Sequence, residues 1–106
     1  MSNLIQITNG IGTGNTTLYT AFTGGGPAQL LSLDLQNVNA STDVTVDIWF
    51  DPNTGTDRYL FKSLLIQAGA HVQWTGLLIL NTAGDTIKSI GSATGVDVLG
   101  AVRETS

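Results

Sequence analysis

The stretch DVTVDIWFD, Asp43 to Asp51, decides the fold class of this chain. Apolar side chains recur there at every second position, as Val44, Val46, Ile48 and Phe50, and polar residues and one tryptophan lie between them. A β-strand places all four apolar residues on one face, whereas a helix would scatter them around its axis. The stretch therefore predicts a strand with one buried face and one outward face.

The same alternation extends in both directions along the chain. In AQLLSLDLQNV, Leu31, Leu33 and Leu35 alternate with polar residues, which predicts a second strand with these leucines on one face. Further strands are predicted at residues 4–8, 16–22, 58–67, 71–81, 85–92 and 95–104. Short turns rich in Gly and Asn separate them. The pattern predicts an all-β fold, a single antiparallel β-sandwich of about eight strands, either jelly-roll or immunoglobulin-like.

The 106 residues are the length of one domain. We therefore expect residues 1–106 to form a single β-sandwich domain. The terminal segment MSNLIQITNGIGTGN, residues 1–15, has two interpretations. It is either a mobile arm that becomes ordered on contact with a partner, anchored by Leu4, Ile5 and Ile7, or simply the first strand.

The composition excludes several classes of partner. Charged residues make up 11% of the chain, against about 25% in a typical soluble domain, and only four are basic. A nucleic-acid binder needs a basic face, so no nucleic-acid partner is expected. The longest aliphatic run, Leu77 to Leu80, is far shorter than the ~20 residues of a membrane span, so no membrane partner is expected either. A surface of hydroxyl and amide groups instead suits burial against other protein subunits.

A calcium loop and a plain hairpin turn are both conceivable for residues 51–57, DPNTGTD. An EF-hand loop needs an oxygen ligand at position 5 and a glutamate at position 12, and counting from Asp51 these positions hold Gly55 and Lys62. Pro52, Asn53 and Gly55 are typical of a hairpin loop. We interpret the segment as a turn.

No catalytic constellation emerges. His71 is the only histidine, and no serine-nucleophile motif accompanies it, so we expect an exposed residue at the start of a strand. The chain has no cysteine, which excludes a thiol nucleophile. The carboxylates lie mostly in predicted turns or on polar strand faces, and nothing selects two of them as an acid–base pair. We predict that the protein is not an enzyme and uses no cofactor or metal.

Aromatic residues are the remaining candidates. Trp49 lies on the polar side of its strand, and Tyr59 and Trp74 lie on other strands. Outward aromatic side chains anchor protein interfaces, cover sheet edges or stack on sugars, and we favour these interpretations in that order. The predicted interface set is Leu4, Ile5, Ile7, Trp49, Tyr59 and Trp74.

Several pieces of the sequence, in order, resemble small β-sandwich structural proteins of tailed-bacteriophage virions. They are TTLYTA, LLSLDLQNVNASTDVTVDIWF, RYLFKSLLIQAGAHVQWTGLLIL, GDTI and ATGVDVLGAVRE, between residues 16 and 104. Gly84-Asp85 matches the family's turn before a short strand, and Asp97 and Glu104 match its closing strand. The resemblance implies a non-enzymatic virion subunit that decorates or cements the capsid, or that lies at the head–tail neck or in the tail.

From this resemblance and the composition, we expect a homo-oligomer, a trimer or a hexamer, that binds the major capsid protein or a neck protein. The protein would be made in the bacterial cytoplasm and reside in the virion, where added contact area stabilises the particle. A carbohydrate-binding β-sandwich module, with Trp49, Trp74 or Tyr59 stacked on a glycan, is the competing hypothesis.

Overall fold

Eight β-strands account for the regular structure of the residues that the structure describes. A computed structural model describes residues 2–21, 27–53, 55–80 and 84–105. The strands are β1 (Ser2–Ile11), β2 (Thr16–Thr20), β3 (Ala28–Asn37), β4 (Val44–Asp51), β5 (Arg58–Ile66), β6 (His71–Leu80), β7 (Thr86–Gly91) and β8 (Val96–Thr105). Within those ranges, no helix is long and apolar enough to cross a membrane. The predicted all-β fold is confirmed.

The strands form two four-stranded antiparallel sheets. The first sheet has the order β1-β8-β3-β6, and the second has the order β2-β7-β4-β5. Strands therefore pair first with last along the chain: β1 with β8, β2 with β7, β3 with β6 and β4 with β5. A long hairpin that is rolled up in this way is a jelly roll, which decides between the two predicted sandwich topologies.

The core lies between the two sheets, where the inner faces meet. Val44, Val46 and Ile48 are fully buried, and Phe50 packs against them half-buried, as the alternation in β4 predicts. The closing strand contributes Val96, Val98 and Val102 in the same way. Complete burial of each such side chain stabilises the fold by roughly 1.5–3 kcal/mol.

A β-bulge in β3 changes the predicted face of one leucine. The register of β3 shifts between Leu30 and Ser32 against both of its neighbours. Leu30, Leu33 and Leu35 are consequently buried in the core, whereas Leu31 is only half-buried. The prediction that Leu31 shares a face with Leu33 and Leu35 was wrong, because the extra residue of a bulge reverses the alternation.

A buried amide, Asn37, holds three loops together at one end of the sandwich. Its Nδ2 donates to the carbonyl oxygens of Thr42 and Ile66, each at 2.9 Å. Its Oδ1 accepts from the backbone N–H of Asn39 at 3.0 Å and from Asn39 Nδ2 at 2.9 Å. Asn39 Nδ2 also donates to Thr94 O, in the β7–β8 loop. The Asn-rich turn is therefore a structural clamp, with each polar atom of Asn37's amide bonded as burial requires.

Candidate interaction surfaces

Two outward faces are available for contact, one on each sheet. The outward side of the first sheet carries four exposed large apolar side chains, and we call it the apolar face: Leu4, Leu77, Ile79 and Leu99. The outward side of the second sheet carries Trp49 and Tyr59 with their charged neighbours, and we call it the aromatic face. Because the sheets pack back to back, the two faces point in opposite directions.

The residues of the N-terminal segment have different environments. Residues 2–11 form β1, which pairs with β8 along its length, as in the first-strand interpretation. Leu4 is exposed on the apolar face. Ile5 lies opposite the buried Val102, on the inner face of the first sheet, and remains partly exposed. Ile7 is 4% exposed and belongs to the core, so it has no surface to offer a partner.

Trp74 faces inward. It pairs with the buried Leu33 and packs half-buried against the core. Ile7 lies on the same inner face as Trp74, because Ile7 pairs with Gly100 and Gly100 pairs with Leu33, the partner of Trp74. Of the predicted interface residues, the structure thus brings together Trp49 and Tyr59 on one face, while Leu4 lies on the opposite face.

Trp49 lies on the outward side of β4, as predicted, but it is only 8% exposed. Its direct neighbours across the sheet are Tyr59 on β5 and Lys88 on β7. The Tyr59 ring lies 5.9 Å from the indole, centroid to centroid, tilted by 48°. The neighbouring side chains therefore cover the indole, and Trp49 cannot act as an open stacking platform.

Ion pairs hold the side chains around Trp49 in position. Lys88 Nζ lies 2.8 Å from Asp51 Oδ2, and Lys62 Nζ lies 3.5 Å from Asp47 Oδ2. Lys62 Nζ also lies 4.4 Å from the centre of the Tyr59 ring, within the range of a cation–π contact. The hydrogen bond with Tyr59 and then the charge of Asp47 raise the pKa of Lys62. A sugar ring would have to displace Lys62 to stack on Tyr59, which disfavours the carbohydrate-binding hypothesis.

Two carboxylates lie close together where β4 ends: Asp51 is the last residue of that strand, and Asp57 lies in the loop before β5. A hydrogen bond from Lys88 lowers the pKa of Asp51, whereas desolvation and the nearby Asp51 carboxylate raise the pKa of Asp57. The described residues contain no group of three or more metal-ligating side chains. The backbone N–H of Asn53 donates to Asp85 Oδ1 at 2.8 Å, which ties the loop to the turn before β7. The predicted hairpin turn at this position is confirmed.

The remaining sequence predictions concern single residues. His71 begins β6 and is exposed, as predicted, with Nε2 3.7 Å from Asp34 Oδ1. Gly84-Asp85 lies in a turn before the short strand β7, and β8 carries Asp97 and Glu104. Asp85 is buried, an exception among carboxylates that are expected to lie mostly in turns or on polar strand faces. The described part of the surface holds no pocket for a small molecule.

The sequence interpretation missed three residues of the apolar face, Leu77, Ile79 and Leu99. Leu77 and Ile79 belong to the aliphatic run Leu77 to Leu80, which lies in the predicted strand 71–81 but is not part of the predicted interface set. In a strand, such a run places apolar side chains on both faces, so half of them must face outward unless a second layer covers the sheet. That signal could have identified the apolar face.

Comparisons with known proteins give similarity in fold. No protein-family model matches the chain, and no curated protein matches it. A subunit of the Bacillus endospore appendages, a family of disulfide-linked pili, is 15% identical with a TM-score of 0.58, covering 99% of this chain and 87% of that one. A chain of the acid-stable capsid of the Helicobacter pylori bacteriophage KHP30 has 15% identity, a TM-score of 0.57 and the same two coverages.

A pentameric capsid protein from metagenomic phage sequences is 19% identical with a TM-score of 0.51. That alignment covers 93% of this chain and 60% of the capsid protein, so this chain spans less than two thirds of it. The likenesses therefore establish a fold that this chain shares with capsid and pilus subunits.

Proposed function

We propose that this protein is a structural subunit of a tailed-phage virion that decorates or cements the capsid. The observation that carries the proposal is a nearly complete jelly-roll match to a chain of the KHP30 capsid that is of similar length.

Two properties of the chain support a contact role. The described surface offers no pocket, and it carries an apolar face of the kind that proteins bury against one another. A subunit of this kind stabilises a particle passively, because whatever binds only the assembled state shifts the equilibrium towards assembly. Its partners would be further copies of itself and the major capsid protein.

The similarity to a pilus subunit supports a different assembly, which the composition disfavours. The endospore appendages are disulfide-linked, and the 106 residues of this chain contain no cysteine. Disulfide cross-links through these residues are therefore impossible, and any assembly must rest on non-covalent contact area.

The composition of purified particles tests the proposal. Particles would be isolated on a density gradient from cells that carry the gene, and the copy number of this chain relative to the major capsid protein would be measured by quantitative mass spectrometry. We expect a copy number comparable with that of the shell subunits. A much smaller number would place the chain in the neck or tail instead, and its absence from particles would overturn the proposal.

A further inference from the structure

The exposed apolar side chains are concentrated on one side of the molecule. Of the large apolar residues that are exposed in the described ranges, half belong to the apolar face, and they come from three of its four strands. The remaining ones are scattered: Ile5 lies on the inner face of the first sheet, Val38 in a loop, and Tyr59 and Leu65 on the second sheet. An exposed cluster of this kind on a small domain marks an interaction surface.

Charges on the apolar face are separated by sign. One row across the sheet contains Leu4, Arg103, Gln29 and Ile79. Another row contains Thr8, Leu99, Asp34 and Gln73, and Asp97 lies in the row beyond it. The face therefore has a basic end at Arg103 and an acidic end at Asp34 and Asp97, where the exposed His71 also lies. The other Lys and Arg side chains belong to strands of the second sheet.

The two ends lie symmetrically about a middle row. Ala101 on β8 and Ser32 on β3 form the centre of this row. Along β8, Arg103 lies two residues to one side of Ala101, and Leu99, the partner of Asp34, lies two residues to the other side. At ~3.4 Å per residue, each end lies about 7 Å from the middle row. A twofold axis along the middle row, in the plane of contact, would therefore place the basic end of one copy over the acidic end of the other.

We propose that the apolar face binds the same face of a second copy of this chain across this twofold axis. Arg103 of each copy then lies over the Leu99 row of the other, one strand away from Asp34. A strand spacing of about 4.8 Å is within reach of an arginine side chain. The face is thus self-complementary in its charged ends, as a twofold interface must be.

Asp34 has capacity for such a contact. Its side chain is 38% exposed; Oδ1 itself is buried without a hydrogen-bond donor among the described residues, and His71 Nε2 lies 3.7 Å from it. A carboxylate usually accepts several hydrogen bonds, and a guanidinium supplies two donors in parallel. Arg103 of a second copy would therefore donate to the exposed part of the Asp34 carboxylate.

The pairing deepens the proposed function, because it names the contact through which copies of the subunit associate. A twofold contact combined with a threefold one gives a hexamer, one of the two oligomers expected from the sequence. The pairing can be tested on purified protein without any capsid. If purified copies do not pair, the protein can still be found in particles. If it is absent from particles, pairing of purified copies can still be observed.

A charge exchange tests the inference. Arg103→Asp and Asp34→Arg each place like charges opposite one another across the axis, and the double variant restores opposite charges. We expect each single variant to raise the dissociation constant of the pair about tenfold or more, and the double variant to recover most of the affinity. The measurement is a dilution series by gel filtration with light scattering, with thermal melts to show that every variant is folded.

A matched pair of leucines provides the control. Leu77 on the apolar face is 60% exposed, and Leu65 on the second sheet is 55% exposed. We expect Leu77→Asp to weaken association and Leu65→Asp to leave it unchanged. A wild-type protein that is monomeric at millimolar concentration would overturn the inference. Equal association of the wild type and all variants would also overturn it. A double variant that associates as weakly as the single variants would do the same.

Discussion

Gly95, in the loop between β7 and β8, illustrates how one residue without a side chain supports the clamp around Asn37. Its φ of +100° is rare for residues with a side chain. A Cβ at this position would lie 2.5 Å from Asn39 Nδ2. Asn39 cannot easily move aside, because its amide donates to Asn37 Oδ1 and to Thr94 O.

We expect Gly95→Ala to lower the free energy of unfolding by about 2–4 kcal/mol, through backbone strain and lost hydrogen bonds together. Gly69→Ala is the control, because Gly69 has a φ of +77° but free space around its Cβ position. That variant should lose only about 1–2 kcal/mol. Urea unfolding of both variants measures the difference, and equal losses would show that the clamp contributes nothing.

Tyr19 on β2 joins the two sheets, since its hydroxyl donates to the Glu104 carboxylate on β8. Burial and this hydrogen bond raise the pKa of Tyr19 above its ordinary value of about 10. Above pH 10 the unfolded chain loses the tyrosine proton while the folded chain retains it, so the folded state becomes less stable as pH rises.

We expect the urea midpoint of the wild-type protein to fall between pH 10 and pH 11, and that of Tyr19→Phe to fall less. Tyr59 is present in both proteins, so the comparison isolates the contribution of Tyr19. Parallel pH profiles for the two proteins would contradict this account of the Tyr19 contact.

Among the elements, the strands were the most predictable feature. All eight were predicted, because period-two alternation is encoded locally in stretches such as that of β4. The ends were less accurate. β1 runs from Ser2 to Ile11 rather than from residue 4 to residue 8, because Asn9 and Gly10 resemble a turn locally but pair with β8.

Pairing, in contrast, could not be predicted. The choice between jelly roll and immunoglobulin fold depends on contacts such as that of β1 with β8, which are distant in sequence. The cover over Trp49 was missed for the same reason, since Tyr59 and Lys88 become its neighbours only through the register of three strands. Bulges such as that at Leu31 leave no signal in the alternation until the partner strand is known.

Strand β5, at the edge of the second sheet, contains one residue with a strained backbone, and the strain can be measured as a loss of folding stability. Ser63 has a φ of 54°, in the left-handed region, and its backbone N–H donates to Asp47 Oδ1 at 2.6 Å. The resulting irregular edge discourages pairing with other strands, as edge bulges do. Because the hydrogen bond uses the backbone, glycine can retain it.

We expect Ser63→Gly to be neutral or to stabilise the fold by about 0.5–1 kcal/mol, since glycine removes the left-handed strain. Ser32→Gly, the same exchange without a positive φ, should instead cost about 0.5–1 kcal/mol. Thermal melts of the two variants provide the comparison. A loss of stability in Ser63→Gly as large as that in Ser32→Gly would show that the strand carries no such strain.

At the scale of the whole molecule, the proposed contact role rests on the outward faces of the sheets, and the described residues form no pocket. The low charge of the sequence indicated this role, but it could not locate the surface, because that requires knowing which strand faces lack a covering layer. The apolar face became visible only when the register placed Leu4, Leu77, Ile79 and Leu99 on one side of the first sheet.

The central claim is that this subunit stabilises a phage particle by added contact area. The most direct test is the temperature at which particles release their nucleic acid, measured by dye fluorescence with and without the gene. We predict release at a lower temperature from particles that lack the protein, and recovery when purified protein is added back. Equal release temperatures, or purified protein that fails to bind those particles, would contradict the account.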